Sequence, residues 1–210
     1  MFSNLQISRT LAKNTASMQS SNKTVSQEAM QAEWQEVQAA QHNPTYFRPL
    51  YDRYFEQIFR FVFKRTADEN IANDVCSQVF LKAMQKLDTY EYKGVPFSAW
   101  LYRIASNEVA QHFRNTQKNR VVTVEDHTFS DLIDEVSEAG DFEKTRQSML
   151  MALQQLKETD MVMIEMRFFE ERPFKEIANI LNITESNAKV KTYRILEKMK
   201  KLMKKNGWFF

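Results

Sequence analysis

The segment from residue 184 to residue 210 carries the side chains best suited to binding a partner through charge. Its formal charge sums to +6, whereas the whole 210-residue chain carries only +2. Lysine and arginine donate hydrogen bonds to guanine edges and to phosphate oxygens, and a tyrosine ring packs on bases or sugars. These groups favour a polyanionic partner such as DNA. The candidate contact residues are Lys189, Val190, Lys191, Tyr193 and Arg194.

The residues before this cluster predict how it is presented to a partner. Residues 174–181 form a short amphipathic helix opened by Pro173, and Asn182 tolerates the left-handed conformation of a tight turn. Thr184 can cap the following helix, and Ala178 is small enough for a close helix crossing. The inner face of the following helix would consist of Ala188, Thr192, Ile195, Met199 and Leu202. This order predicts a helix-turn-helix, whose second helix enters the major groove. The alternative is an ordinary helical hairpin with a solvated basic face.

A second basic region lies upstream. Residues 45–120 sum to +4 and residues 121–143 to −8, whereas residues 1–44 and 144–183 are neutral. Two basic regions separated by an acidic one predict that the chain meets a polyanion at two places. The alternative is that the charges only solvate helix faces.

Helical periodicity and a scarcity of turn residues predict the fold. Three glycines and four prolines argue against a many-stranded sheet and favour long helices. The first of three upstream helices carries an apolar stripe from Tyr51 to Val62. The second begins at the N-cap Asp68, and the third is opened by Pro96 after a loop at 88–95. We therefore expect an all-α fold with two small helical domains joined by an acidic linker.

Four segments follow from these patterns. Residues 1–44 are expected to be a polar extension with a weak helical pattern around Trp34. Residues 45–120 and 144–206 are the two predicted domains, and residues 121–143 are predicted to be an extended, mostly unpacked linker. Five methionines of the second domain are expected to fill its core rather than to bind metal. They are Met149, Met151, Met161, Met163 and Met166.

The sequence does not indicate catalytic chemistry. The three histidines are not at metal-ligand spacing from one another or from Cys76, and the isolated glycines form no phosphate-binding loop. Cys76 lies among apolar helical positions and is predicted to be a buried small hydrophobe. We therefore expect neither enzyme activity nor a metal or cofactor. Short apolar runs predict no membrane span, and the single cysteine and the lack of a secretory signal favour the cytoplasm.

Two stretches of the chain carry a resemblance to a known family. The first comprises LYDRYF at 50–55, DVCSQVFLKA at 74–83 and FSAWLYRIASN at 97–107. The second spans residues 153–202 and includes EIA at 176–178. Together they resemble regions two and four of an alternative sigma factor of bacterial RNA polymerase, of the extracytoplasmic-function type in the sigma-70 family. They occur in the family's order, with its linker between them.

This resemblance implies that the chain binds core RNA polymerase and directs promoter-specific initiation by recognising and helping to melt promoter DNA. The implied polymerase-binding residues are Asp74, Gln78, Phe80 and Leu81. The minus-ten element would be read by Arg103, Asn107, Gln111 and the basic Arg114 on a helix, and by the loop residues Tyr90, Tyr92 and Lys93. The minus-thirty-five element would be read by Lys189, Val190, Tyr193 and Arg194. An anti-sigma factor is a candidate further partner, and the acidic linker would lie in the polymerase's nucleic-acid channel.

Two other functions fit parts of the sequence. A sigma mimic that sequesters a regulator would not need the cations Lys189 and Arg194. A conventional helix-turn-helix repressor would bind DNA alone, usually as a dimer, and would not need the first domain.

Overall fold

The computed structural model describes residues 25–116, 132, 136 and 142–205. All regular structure in these residues is helical, which confirms the all-α expectation. The α-helices are α1 (Gln27–His42), α2 (Arg48–Thr66), α3 (Glu69–Lys86), α4 (Phe97–Thr116), α5 (Phe142–Gln154), α6 (Glu158–Ile164), α7 (Phe174–Leu181) and α8 (Glu185–Lys205). Short 3₁₀ turns span Pro44–Phe47 and Leu87–Thr89, and a π-helical turn spans Glu165–Phe169. None of the described helices is both long and apolar enough to cross a membrane.

Helices α2, α3 and α4 pack together as the first helical unit. Apolar side chains at helical spacing form its core, and Ile58, Val79 and Leu101 are each 0% exposed. Asp68 caps α3 as predicted, because its carboxylate accepts hydrogen bonds from the backbone N–H groups two and three residues ahead, at 2.9 and 3.1 Å. The start of α3 is therefore determined by a local hydrogen-bond pattern.

Helix α1 packs against this same unit, a contact that the sequence did not predict. Val37 is 0% exposed. The carboxylate of Glu33, which is 8% exposed, accepts hydrogen bonds from the hydroxyl of Tyr54 and from the backbone N–H of Phe97. The weak helical pattern of the polar extension is thus a helix bound to the first unit, and residues 1–24 lie outside the described part of the chain.

The acidic segment 121–143 lies outside the described residues, apart from Leu132, Val136 and the start of α5. Leu132 and Val136 are helical and only 0% and 5% exposed. The prediction of an extended, unpacked linker is therefore wrong at these two positions. Both side chains are apolar, so their burial is favourable although acids dominate the composition of the segment.

Helices α5 to α8 form the second unit, in which α8 packs on α5, α6 and α7. Met149, Met161, Met163 and Met166 are at most 1% exposed, which confirms their predicted place in the core. Met151 is 43% exposed, so the prediction is wrong for this residue. It lies two positions beyond Met149 and therefore about 200° around the helix, on the side away from the core.

The two units are in contact through α4 and α7. Arg65 of α2 and Glu165 form a salt bridge in which the two residues are 1% and 7% exposed. Beside it, the hydroxyl of Tyr102 donates a hydrogen bond to Oε2 of Glu170 at 3.0 Å. The guanidinium of Arg172 lies 4.5 Å from the ring centroid of Tyr102. No sequence pattern indicated this interface.

Candidate nucleic-acid interface

A short turn joins α7 to α8. Asn182 adopts the left-handed conformation, with φ 55° and ψ 48°, and the N–H of Ile183 donates a hydrogen bond to the carbonyl of Ala178 at 2.9 Å. The hydroxyl of Thr184 accepts a hydrogen bond from the N–H of Asn187 at 3.2 Å and so caps α8. The predicted turn residue and the predicted cap are both confirmed, and the connection is that of a helix-turn-helix.

Helix α8 buries one face and exposes the opposite one. The buried face comprises Ala188, Thr192, Ile195, Leu196, Met199 and Met203. Lys189 and Arg194 are exposed, and the side chain of Val190 is 47% exposed. Lys191 and Tyr193 are half-buried beside them. The five predicted contact residues therefore lie on or next to the solvent-facing side of one helix.

The exposed face of α8 is mainly cationic. A groove of about 400 Å³ along it is lined by Tyr193, Arg194, Glu197, Lys198 and Lys201. Lys189 forms an ion pair with Glu185 at 2.8 Å, and both side chains are close to half exposed. Exposed ion pairs contribute only about 0–1 kcal/mol to stability, so Lys189 can exchange Glu185 for a phosphate or a base at little cost.

The first turn of α8 exposes two polar residues that were not among the predicted contacts, Ser186 and Asn187. Recognition helices contact base edges with their N-terminal residues. An asparagine amide can form two hydrogen bonds with adenine. The signal that could have found them is their place directly after the cap Thr184.

The four-residue spacing of Arg103, Asn107 and Gln111 puts them on one face of α4. Asn107 and Gln111 are exposed, and Arg103 is half-buried. Nη2 of Arg114 donates a hydrogen bond to Gln111 at 2.7 Å, and Nε2 of Gln111 donates one to Asn115 at 2.7 Å. The C-terminal half of α4 therefore presents a connected row of polar side chains to solvent.

The loop between α3 and α4 places its two tyrosines differently. Tyr90 is 8% exposed, and its ring centroid lies 5.2 Å from that of Phe97 and 5.0 Å from that of Trp100. Burial raises the pKa of the Tyr90 phenol. Tyr92 is half-buried and Lys93 is exposed. Tyr90 therefore packs inside the protein, whereas Tyr92 and Lys93 are accessible to a ligand.

The predicted polymerase-binding residues Asp74 and Gln78 are exposed on α3. They line a groove of about 390 Å³ that they share with Gln111 of α4. Across this groove, Lys82 of α3 forms a salt bridge with Glu108 of α4 at 2.7 Å, which ties the two helices together. The candidate polymerase face and the candidate DNA face are therefore adjacent.

The neighbours Phe80 and Leu81 lie on different sides of α3. Leu81 is 48% exposed, but Phe80 is only 3% exposed. The ring of Phe80 packs against Tyr51 and Phe55 of α2, with centroid distances of 4.8 and 6.1 Å. Phe80 therefore packs beneath the exposed face of α3 and does not form part of it. Leu81 and Met84, which is 46% exposed, form the apolar part of this face. Met84 was not among the residues predicted from the sequence.

Cys76 is inaccessible, as predicted for a small buried hydrophobe. It is 0% exposed, and burial raises the pKa of its thiol to about 12. Across the described ranges, no three His, Cys, Asp or Glu side chains are grouped so that they could hold a metal ion.

Comparison with known proteins identifies both helical units. Residues 50–119 match the family model for sigma-70 region 2, and residues 146–199 match the one for sigma-70 region 4. The chain is similar to the extracytoplasmic-function (ECF) RNA polymerase sigma factor BldN of Streptomyces coelicolor, with 27% identity over 158 residues. This match covers 75% of the chain and 60% of BldN.

A second relative and a solved structure agree with these matches. The ECF RNA polymerase sigma factor SigM of Bacillus subtilis is 23% identical over 154 residues, which cover 73% of this chain and 92% of SigM. The structure of CnrH in complex with the cytosolic domain of CnrY covers 82% of this chain and 97% of that one, with a TM-score of 0.53 and 19% identity, so it supports the fold alone. The chain belongs to the sigma-70 family of RNA polymerase sigma factors, as a member of the extracytoplasmic-function type.

Proposed function

We propose that this chain binds core RNA polymerase and directs promoter-specific initiation of transcription, recognising promoter DNA and helping to melt it. The observation that carries the proposal is the exposed basic face of α8, which follows a capped helix-turn-helix turn. The family assignment supports it. Because the chain spans only 60% of the length of BldN, the activity and partners of the whole protein are part of the proposal.

In this proposal, α8 enters the major groove of the minus-thirty-five element. Lys189 and Arg194 donate hydrogen bonds to base edges or phosphates, and Val190 contacts an apolar group such as a thymine methyl. Lys191 and Tyr193 line the sides of the same helix. The two exposed polar residues of the first turn extend this surface towards the bases.

The minus-ten element is proposed to be read by α4 and the loop before it. The proposed α4 contacts are Arg103, Asn107, Gln111 and Arg114. Amide side chains can hydrogen-bond to the edges of unpaired bases, and arginines can hold the backbone of a separated strand. Tyr92 and Lys93 contribute from the loop, whereas the buried Tyr90 supports the loop from inside.

Polymerase docking is proposed for the exposed face of α3. Asp74, Gln78 and Leu81 remain in this surface, and Met84 extends it. Phe80 acts only by packing, because its ring is buried. The groove shared with α4 supports this assignment, since docking there brings the row of polar α4 side chains next to the polymerase.

The proposed function implies which molecules the chain binds. Core RNA polymerase and promoter DNA are the direct partners, and an anti-sigma factor is a further one, by resemblance to the family. Bond formation belongs to the polymerase, so the chain itself needs no catalytic group. The proposed place of action is the cytoplasm, where the polymerase and its templates are.

Simultaneous reading of both promoter elements requires the two helical units to separate. Elements about 25 base pairs apart are roughly 85 Å apart along B-DNA, at about 3.4 Å per base pair. Helix α4 is only about 30 Å long, at about 1.5 Å per residue, and it contacts α7 directly. The contact between α4 and α7 therefore has to break before α4 and α8 can bind the two elements of one promoter.

Transcription in vitro tests the proposal. Core RNA polymerase is incubated with a random promoter library, with and without the chain, and the transcribed templates are sequenced. Arg194→Ala should lower initiation by an amount equivalent to about 1–3 kcal/mol and relax the preference at one upstream position. The matched control is Lys204→Ala, which removes an exposed cation near the C-terminal end of the same helix and should retain the wild-type preference.

Other outcomes would select the alternatives. A wild-type chain that binds polymerase but yields no transcript would indicate a sigma mimic. A chain that binds a specific duplex without polymerase would indicate a conventional repressor. If Arg194→Ala lowers initiation equally on all promoters and weakens its salt dependence, Arg194 contacts a phosphate and not a base.

A further inference from the structure

A cavity of about 560 Å³ lies between the two helical units. Arg53, Gln57, Arg60 and Lys64 line it from α2, and residues 169–172 line it from the second unit. Its volume falls in the range of about 300–1,000 Å³ that small-molecule sites usually have. Because both units line the cavity, a molecule that fills it contacts both of them.

The α2 side of the cavity is cationic. Arg53, Arg60 and Lys64 line it, and no acid of α2 does. Arg60 and Lys64 are four residues apart, so their side chains begin about 5–6 Å from each other on the helix. Two cations at this distance suit neighbouring phosphoryl groups, to which they can donate charge-assisted hydrogen bonds.

The present ion pair of Arg60 is weak enough to be exchanged for a ligand. Its Nε lies 3.9 Å from Glu56, and both side chains are exposed, so the pair contributes little to stability. Nζ of Lys64 lies 4.0 Å from Glu170, which is a long distance for an ion pair. Arg60 can therefore turn to a phosphate at little cost, with Lys64 beside it.

The side formed by the second unit differs in chemistry and has an irregular backbone. Glu170 and Glu171 line it beside Phe169. Carboxylates accept hydrogen bonds, so they suit the hydroxyl groups of a sugar or the amino group of a base. Glu171 has φ 50°, which is unfavourable for a residue other than glycine, and it follows the π-helical turn that ends at Phe169. Both kinds of irregularity are frequent at functional sites.

We propose that this cavity binds a nucleoside di- or triphosphate, with the phosphates on Arg60 and Lys64 and the nucleoside against residues 169–171. Cations on one side and hydrogen-bond acceptors on the other match the two parts of such a molecule. The volume of the cavity is also sufficient for it.

Charge disfavours the neighbouring segment of the chain as an occupant. Val25 lines the cavity, so residues 1–24 join the described chain at this place. Those residues contain three cations and no acid. A cationic segment would be repelled by the α2 side of the cavity, whereas a polyphosphate is attracted to it.

The bound nucleotide stabilises the contact between the two units, because its complete site exists only while they are together. Promoter binding requires that the contact between α4 and α7 breaks, so the nucleotide opposes initiation. This effect on initiation rests on the proposed function, whereas the binding itself does not depend on it.

Calorimetric titration of the full chain tests the binding. The probes are ATP, pyrophosphate and adenosine, in about 0.15 M salt, which screens weak attraction to the exposed cations of α8. ATP should bind more tightly than pyrophosphate, and adenosine should show no measurable binding. Arg60→Ala and Lys64→Gln should each weaken ATP binding by about tenfold or more, because each removes a charged donor to the phosphates. Arg60→Lys should retain most of the affinity.

Two control variants separate this cavity from other cationic surfaces. Arg48 is also an exposed cation of α2 paired with an acid four residues ahead, but it does not line the cavity, so Arg48→Ala should bind ATP as the wild type does. Arg194→Ala, which removes a cation from the groove along α8, should do the same. Equal losses in Arg48→Ala and Arg60→Ala, or a loss in Arg194→Ala alone, would overturn the inference.

Two further results of the titration would contradict the proposal. If the wild-type chain does not bind ATP, the cavity is not a nucleotide site. If pyrophosphate binds as tightly as ATP, residues 169–171 do not hold a nucleoside, and that part of the proposal is wrong.

Hydrogen exchange tests whether the nucleotide holds the units together. The backbone amides of α7 should exchange more slowly when ATP is present, and the same ATP concentration should have little effect in Arg60→Ala. Binding of ATP without slower exchange in α7 would overturn the proposed restraint. Failure of the wild-type chain to start transcription would overturn the proposed function but not the nucleotide site, and failure to bind ATP would do the reverse.

Discussion

Replacement of Arg65 by methionine should strongly destabilise the protein, because it removes the arginine from a buried salt bridge. Arg65 is 1% exposed, and its salt-bridge partner Glu165 is 7% exposed. The guanidinium also lies 4.1 Å from the ring centroid of Phe61. Removal of one partner from a buried ion pair costs about 3–5 kcal/mol. Methionine fills much of the same volume, so an empty cavity adds little to this loss.

The assay is equilibrium unfolding of Arg65→Met, Glu165→Met and the double variant. In a chain of this size, the loss for Arg65→Met should lower the unfolding midpoint by roughly 6–20 °C. The double variant should recover most of the stability, because apolar replacement of a whole buried pair is often neutral. A loss of less than about 1 kcal/mol for Arg65→Met, or single losses that simply add in the double variant, would contradict a strong coupling between the two buried charges.

Three further predictions concern single side chains. Asn182→Ala should lower the free energy of unfolding by about 1–2 kcal/mol, because alanine is disfavoured at φ 55°. Asn182→Gly should cause no such loss, because glycine adopts this conformation readily. Equal losses for the two variants in urea unfolding would contradict this prediction. The Cys76 thiol, whose pKa burial raises to about 12, should resist a thiol reagent at pH 8 until the protein is unfolded, and rapid native labelling would contradict its burial. Burial raises the pKa of Glu176 above its ordinary 4.5, although Arg172 opposes this rise. The folded state therefore holds this proton more tightly than the unfolded chain, and the associated stability is present below about pH 4.5 and lost as the pH rises through the folded pKa. The stability of Glu176→Gln relative to the wild type, measured by unfolding at several pH values, should rise with pH, and a falling difference would contradict the assignment.

Features that depend on a few neighbouring residues could be predicted well. The cap at Asp68, the left-handed turn at Asn182 and the cap at Thr184 were all predicted and are all present. Each depends on hydrogen bonds or steric limits within about one helical turn, so it is readable from the local sequence.

Features that depend on which surface is covered were predicted less well. Phe80 and Leu81 are adjacent apolar residues, and only the aromatic side chains of α2 determine that Phe80 is buried. Tyr90 and Tyr92 differ for the same reason, since the rings of α4 cover Tyr90 alone. A helical pattern predicts that a face is apolar, but not which neighbour packs on it.

Local sequence patterns were enough to predict the helices, their caps and the basic outer face of α8. The two stretches that resemble sigma-70 regions were enough to predict the family. Only the folded chain shows that α1 positions the loop before α4, and that the two helical units meet at Arg65 and Glu165, which are 100 residues apart. These two kinds of feature depend on interactions of different range along the chain. Propensity, capping and periodicity act within a few residues, whereas burial and ion pairing depend on segments that only the folded chain brings together.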